Sequence, residues 1–233
     1  MNERGFDKEH VLGLIGLLLF LYGSYLGLVV APPERFMGEV GRIFYVHVPT
    51  ATIGLLTPGV ACLVAIGSLA RGGARWDATL QACVEVSTVL IAMMLLQGSI
   101  WAKPTWGVYW DWDPRLTTSA ILMASFVGVL ALRSFVTDAT RRASWSAVAT
   151  IVAFANVPIV YMSVKWWRTL HQSFTNGRDL EDTMGTAFAF NWFGLACIVA
   201  WLVIQRTRLG LLRRPEAVTA ADAPEASPLV AGS

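Results

Sequence analysis

The sequence predicts an all-α, polytopic membrane protein of six transmembrane helices with both termini in the cytoplasm. Three observations predict it. Of the 233 residues, 55% are hydrophobic and only 15% are charged, whereas an ordinary soluble domain carries about 25% charge. The charges sit between long apolar runs, the pattern of a chain whose spans satisfy their own backbone inside lipid. Lys and Arg also divide unequally between alternate connections, and that imbalance sets an orientation.

The elements follow in order. Residues 1–10 are polar and carry Arg4 and Lys8. Residues 11–30 form an uncharged run that, at about 1.5 Å per residue, crosses a hydrocarbon core of about 30 Å. This run is longer than the apolar region of a signal peptide, about 7–15 residues, and Ala31-Pro32-Pro33 is a poor cleavage site, so an uncleaved first span is expected. Within residues 32–48, Phe36, Val40, Ile43 and Phe44 recur at helical spacing among Glu34, Arg35, Glu39 and Arg42. That spacing predicts a short amphipathic interfacial helix before the second span. His47 comes next, just ahead of Pro49 and a second span over about residues 50–70.

A short basic connection, 71–77, leads to a third span, about 78–101. Glu85 and Gln97 lie within it, so part of its length faces protein; Glu85 reads as a helix contact or a snorkelling side chain. An aromatic segment over 101–117 follows. Asp113-Pro114 then reads as N-cap and first helical residue, because proline lacks the N–H that goes unpaired there. The fourth span covers about 116–132 and the fifth about 145–164, where Asn156 and Pro158 predict a kink. A polar connection with Trp166, Trp167 and His171 precedes the sixth span, about 186–204. The domain reading is one membrane unit, 1–214, and a disordered cytoplasmic tail, 215–233, rich in Ala, Pro and Glu.

With six spans both termini share a side. That side carries eleven Lys and Arg and the other seven, so the termini are placed in the cytoplasm. His47, the aromatic segment and His171 then share the outer face, and His10 alone is cytoplasmic. The net charge of +2 and the lack of a basic stripe exclude nucleic acid as a partner. Cys62, Cys83 and Cys197 lie inside apolar runs with no Cys-x-x-Cys, which excludes a thiol redox motif and covalent haem attachment. Phosphate loops, zinc spacings and Ser–His–Asp arrangements do not occur, and no acid–base pair suggests a hydrolytic enzyme.

The segment 101–117 reads WAKPTWGVYWDWDPRLT. It holds four of the ten tryptophans together with Tyr109, Asp111 and Asp113. Indole and phenol rings favour the membrane boundary, and Trp101, Trp166 and Trp167 sit where an aromatic belt would put them. Trp106, Trp110 and Trp112 are denser than a belt needs and could build a platform for a flat apolar ligand. Two of the three histidines flank that platform, and neutral imidazole is a good axial ligand for haem iron. Arg115, Lys103, Arg42 and Arg168 lie at depths suited to the carboxylates of a porphyrin. The plainer alternatives are a solvated interfacial histidine, a helix cap at Asp113 and a solvated Asp111.

Residues 106–117 resemble the tryptophan-rich WWD signature of haem-handling membrane proteins. Trp106, Gly107, Tyr109, Trp110, Trp112, Asp113, Arg115, Leu116 and Thr117 fill the pattern, while Asp111 and Pro114 occupy variable slots. Six spans and one external histidine on either side of the motif resemble the cytochrome c maturation protein C, or haem exporter protein C, family over residues 1–214. The resemblance implies non-covalent binding of haem b by the WWD loop, with His47 and His171 as axial ligands. It implies a site on the periplasmic face of the bacterial inner membrane. It also implies delivery to a periplasmic haem chaperone, alongside a small single-span subunit and an ABC-type ATPase and permease, with ATP hydrolysis in a partner. Two ligands borne on separate loops would suit capture and release, whereas helix-buried histidines would suit electron transfer. Two other readings stay open at this point: a structural exporter subunit whose aromatic loop is a docking surface, and a membrane haem electron-transfer protein.

Overall fold

A computed structural model describes residues 8–171 and 182–213. The expected tail, 215–233, and the part of the outer connection over 172–181 lie outside the described residues. The described chain forms seven helices: α1 (Lys8–Tyr25), α2 (Phe44–Arg71), α3 (Ala74–Trp106), α4 (Pro114–Phe135), α5 (Ala139–Phe154), α6 (Asn156–Trp166) and α7 (Asp182–Leu212). A π-type turn, Leu26–Val30, extends α1, and a 3-10 turn, Glu39–Ile43, leads into α2. With α5 and α6 counted as one broken span, six helical segments are long and apolar enough to cross a membrane. The protein is all-α and polytopic, as expected.

α3 runs through the middle, against α2, α4 and α7. Leu80, Val84 and Ile91 of α3, Leu122 and Phe126 of α4, and Val160 of α6 are fully buried together. α1 lies along α7, and the two backbones come close. A Cβ on Gly194 would fall 2.5 Å from the Phe20 nitrogen, and one on Gly16 would fall 2.9 Å from the Gly194 carbonyl oxygen. Small residues at such crossings let helices pack by direct contact where lipid offers no hydrophobic driving force.

Several helices run past the span ends expected of them, and two of these extensions shape the cavity end. The second span begins at Phe44 rather than at residue 50, so Pro49 and His47 both lie inside α2. Proline cannot donate to the carbonyl four residues back, which here belongs to Tyr45. The Nδ2 of buried Asn191, on α7, donates to that carbonyl at 2.8 Å instead. Asn191 Oδ1 in turn accepts from the Ser24 hydroxyl at 3.1 Å, so one amide stitches α1, α2 and α7. The interfacial helix is correspondingly short, a single 3-10 turn continuous with α2. α3 likewise runs on through Pro104 to Trp106, and Gly107 stops it at φ +83°, donating its N–H to the Lys103 carbonyl at 3.0 Å. That left-handed cap position favours glycine.

The fifth span breaks at Ala155, where the Pro158 ring excludes the carbonyl of Phe154 from a regular helical bond. Asn156 Nδ2 reaches across to the Thr118 carbonyl of α4 at 2.8 Å. Asp113 caps α4 as its sequence suggests, with Pro114 first in the helix. At the end of the bundle away from the aromatic segment, Arg133 of α4 donates to Asp77 at 2.8 Å and Gln81 at 3.1 Å, both on α3. Glu85 makes the expected helix contact, paired with Arg206 of α7 at 2.5 Å. Alternating spans then bring the start of α2, the end of α3, the start of α4, the end of α6 and the start of α7 to the opposite end.

Candidate functional site

At that opposite end the helices part around a cavity of about 940 Å3. Its walls come from α2, α3, α4, α6 and α7 and are mostly aromatic and aliphatic. Ligand pockets of about 300–1,000 Å3 that are apolar with a few placed polar groups are the usual sites for small molecules and cofactors. Two imidazoles, His47 and His171, and one guanidinium, Arg115, face it along with the hydroxyls of Thr52, Ser99, Thr105, Ser119 and Tyr161.

His47 lies in the first turns of α2 and is 7% exposed. Its ring stands edge-on to Trp101, centroids 5.5 Å apart, and lies against Gly98 of α3. A Cβ on Gly98 would meet the imidazole Cε1 at 3.3 Å, so the absence of a side chain there makes room for the ring. The Nδ1 of His47 is buried without a hydrogen-bond partner. Buried polar atoms are paired in the great majority of cases, so this one singles out the position.

His171 comes from a different kind of support, the irregular strap over residues 167–171 that leaves α6. Its ring stands edge-on to Trp106 at 5.2 Å, and its Nδ1 is likewise buried and unpartnered. Burial, reinforced by the Arg115 guanidinium and partly opposed by Asp113, pulls its pKa down to about 4. The imidazole is therefore neutral at pH 7, the form that ligates a metal. The expectation of two loop-borne histidines holds for His171 alone; His47 belongs to a helix because Asn191 lets α2 begin upstream of Pro49.

The motif residues divide into two groups. Trp106 and Trp110 line the cavity, and Arg115, in the first turn of α4, lines it too while donating to the Val160 carbonyl at 3.3 Å. Trp112 is 78% exposed and Tyr109 60% exposed, and neither lines the cavity. The Trp112 ring meets Trp110 edge-on at 5.8 Å, and Lys103 lies 5.3 Å over the Tyr109 ring. Gly107 is the cap that turns the chain out of α3. Asp113, 5% exposed, lies behind the wall. Burial raises its carboxyl, but hydrogen bonds from the Thr169 hydroxyl and from the N–H groups of Leu170 and Arg115 outweigh that and leave it below its usual range.

Of the four cations considered for a ligand's carboxylates, only Arg115 borders the cavity. Arg42 is engaged by Glu39 and the Gly27 carbonyl, Lys103 donates to the Gly107 carbonyl, and Arg168 is exposed on the strap. Trp101, expected as a membrane anchor, lines the cavity instead, whereas Trp166 and Trp167 are half-exposed as anchors would be. Sequence reasoning missed Gly98, Phe188 and Trp192. A lone glycine inside an apolar helix is a signal of close approach, and it was present at Gly98. Nothing marked Phe188 and Trp192 among the many apolar residues of the last span.

Among the described residues no three His, Cys, Asp or Glu side chains gather as a bare ion would require. Two imidazoles bordering one cavity instead suit a metal whose other ligands arrive in a flat macrocycle. A family model described as Heme exporter protein C matches residues 7–222. The chain belongs to this family. Among its relatives, the Heme exporter protein C of Bradyrhizobium diazoefficiens is 37% identical over 159 residues, 68% of this chain and 59% of that protein's length. The Heme exporter protein C of Haemophilus influenzae is 31% identical over 84% of this chain and 82% of its own. A protein of Marchantia polymorpha described as a putative cytochrome c biosynthesis ccmC-like mitochondrial protein is 33% identical over 68% of each chain.

Proposed function

We propose that this protein takes up haem b non-covalently at the periplasmic face of the bacterial inner membrane and passes it to a periplasmic haem chaperone for c-type cytochrome maturation. One observation carries the reading: two imidazoles, each with a buried Nδ1 that has no hydrogen-bond partner, border a single apolar cavity from a helix and from a strap, beside a guanidinium. Haem brings a flat apolar face, an iron that takes two axial nitrogens, and two carboxylates. Trp106 and Trp110 offer the stacking surface, His47 and His171 the nitrogens, and Arg115 the cation. Gly107 and Asp113 shape the loop that presents these groups. Tyr109 and Trp112, turned outward, are the part of the loop that an incoming chaperone meets first.

The neutral state of His171 at pH 7 means that no proton has to leave before it coordinates. Release is then a matter of moving a ligand, which suits a cargo rather than a resident redox centre. The periplasmic placement follows from the excess of Lys and Arg in the connections on the other side. A small single-span subunit and an ABC-type ATPase and permease complete the assembly, and ATP hydrolysis belongs to them. Haem added to the purified protein is expected to give a low-spin, bis-imidazole absorption spectrum. In the double variant His47→Ala, His171→Ala that spectrum is expected to disappear. Unchanged haem loading and spectrum in the double variant would overturn the axial assignment.

A further inference from the structure

Both oxygens of the Asp113 carboxylate are engaged away from the cavity. Oδ1 accepts the N–H of Arg115 at 2.8 Å and so caps α4. Oδ2 accepts the N–H of Leu170 at 2.7 Å. The Thr169 hydroxyl oxygen accepts the N–H of His171 at 3.1 Å, and the same hydroxyl lies near enough to the carboxylate to favour its charged form. Of three consecutive strap residues, Leu170 is therefore held directly by a buried carboxylate and His171 by the hydroxyl of Thr169 beside it. We propose that Asp113 is a positioning residue that hooks the strap over 169–171 onto the start of α4, and that it does not touch the ligand of the cavity.

The chemistry of the hook is specific. Hydrogen bonds to an ionised carboxylate are about twice as strong as neutral ones, and short irregular segments without such bonds surrender their amides to water. The strap offers little else to hold it, since Arg168 and Leu170 are both exposed. The same carboxylate fixes the turn that carries Arg115. One side chain thus sets the axial imidazole and the cavity's guanidinium in a constant relation, across 57 residues of sequence. Asparagine could keep one of the two oxygen roles but not both, because its amide nitrogen donates where the other amide N–H needs an acceptor.

The role assigned to His171 rests on the proposed haem site, but the hook does not. The test therefore has two readouts on the full-length protein in detergent. Amide hydrogen exchange over 169–171 is measured without haem. Asp113→Asn is expected to accelerate it by about tenfold or more, the effect of losing one charge-assisted bond. Thr169→Val keeps the charge and the cap and is expected to accelerate it less, while Thr169→Ser restores the wild-type rate. With haem added, the same two loosened variants are expected to shift from a low-spin to a partly high-spin spectrum, with added imidazole restoring the low-spin form. Unchanged exchange in both Asp113→Asn and Thr169→Val would overturn the hook. Faster exchange with an unaltered spectrum would overturn the positioning role. Faster exchange in variants of a protein that binds no haem at all would uphold the hook and remove the proposed haem site instead.

Discussion

The two histidines of the cavity are mounted in opposite ways. His47 is carried by a long helix whose start is tied to α7 by Asn191 and whose flank fits against Gly98. His171 is carried by a few residues of irregular chain held to the start of α4 by one carboxylate. The first mount moves only if α2 moves against α3 and α7. The second can let go by breaking a few hydrogen bonds while the bundle stays intact. A site that must hold a ligand and later give it up gains from that asymmetry, because one side stays as a reference while the other opens.

The largest expected effect on this comparison comes from the rigid side. Gly98→Val places branched carbon where a Cβ alone would already meet the His47 ring at 3.3 Å. Overpacking of this kind costs about 1–3 kcal/mol, and the variant is expected to lose its low-spin haem spectrum and to melt several degrees lower. A spectrum like wild type would show that His47 does not depend on this fit. Next is Asn191→Leu, which removes the donor used by the Tyr45 carbonyl. A melting temperature lower by several degrees is expected, since losing a partner to a buried acceptor costs about 1–3 kcal/mol, together with weaker haem binding through His47. No change in either would mean that α2 keeps its upstream turns without this amide.

The strap side is probed by pH. His171 is shifted from its ordinary 6.5 down to about 4 in the folded protein. Its unfolded form therefore binds a proton first. The stability this group contributes is complete above pH 6.5 and is lost progressively as pH falls from 6.5 toward 4. Haem-free wild type is expected to lose more thermal stability than His171→Gln between pH 7 and 4.5, and equal losses would contradict the shift. The smallest effect is expected at Trp112→Phe: the ring is 78% exposed, so haem loading and spectrum should stay within experimental scatter of wild type. A large loss would place that ring in the cavity after all.

Much of this was legible in advance because the signals are local. An uncharged run of sufficient length predicts a span whatever surrounds it, and Asp113-Pro114 specifies a cap by chemistry confined to one turn. The WWD pattern likewise named Trp106, Trp110 and Arg115 by type and spacing. The motif did not separate those residues from Trp112 and Tyr109, which face outward, because one aromatic loop reads the same from either side. Trp101 reads as a membrane-boundary residue for the same reason. The expected boundary at Pro49 failed because a proline's missing bond can be made good by a partner far along the chain, and a partner at Asn191 leaves no trace near Pro49.

The sequence by itself determined the number of spans, their alternation and the presence of two histidines and an aromatic loop on one face, since each depends on hydrophobicity and charge read over a short window. Tertiary structure alone decided that His47 rides on a helix, that Gly98 makes space for its ring, and that both oxygens of Asp113 are committed behind the cavity wall. Those outcomes turn on which side chains meet across helices, and such meetings are fixed by packing geometry rather than by neighbours in the chain.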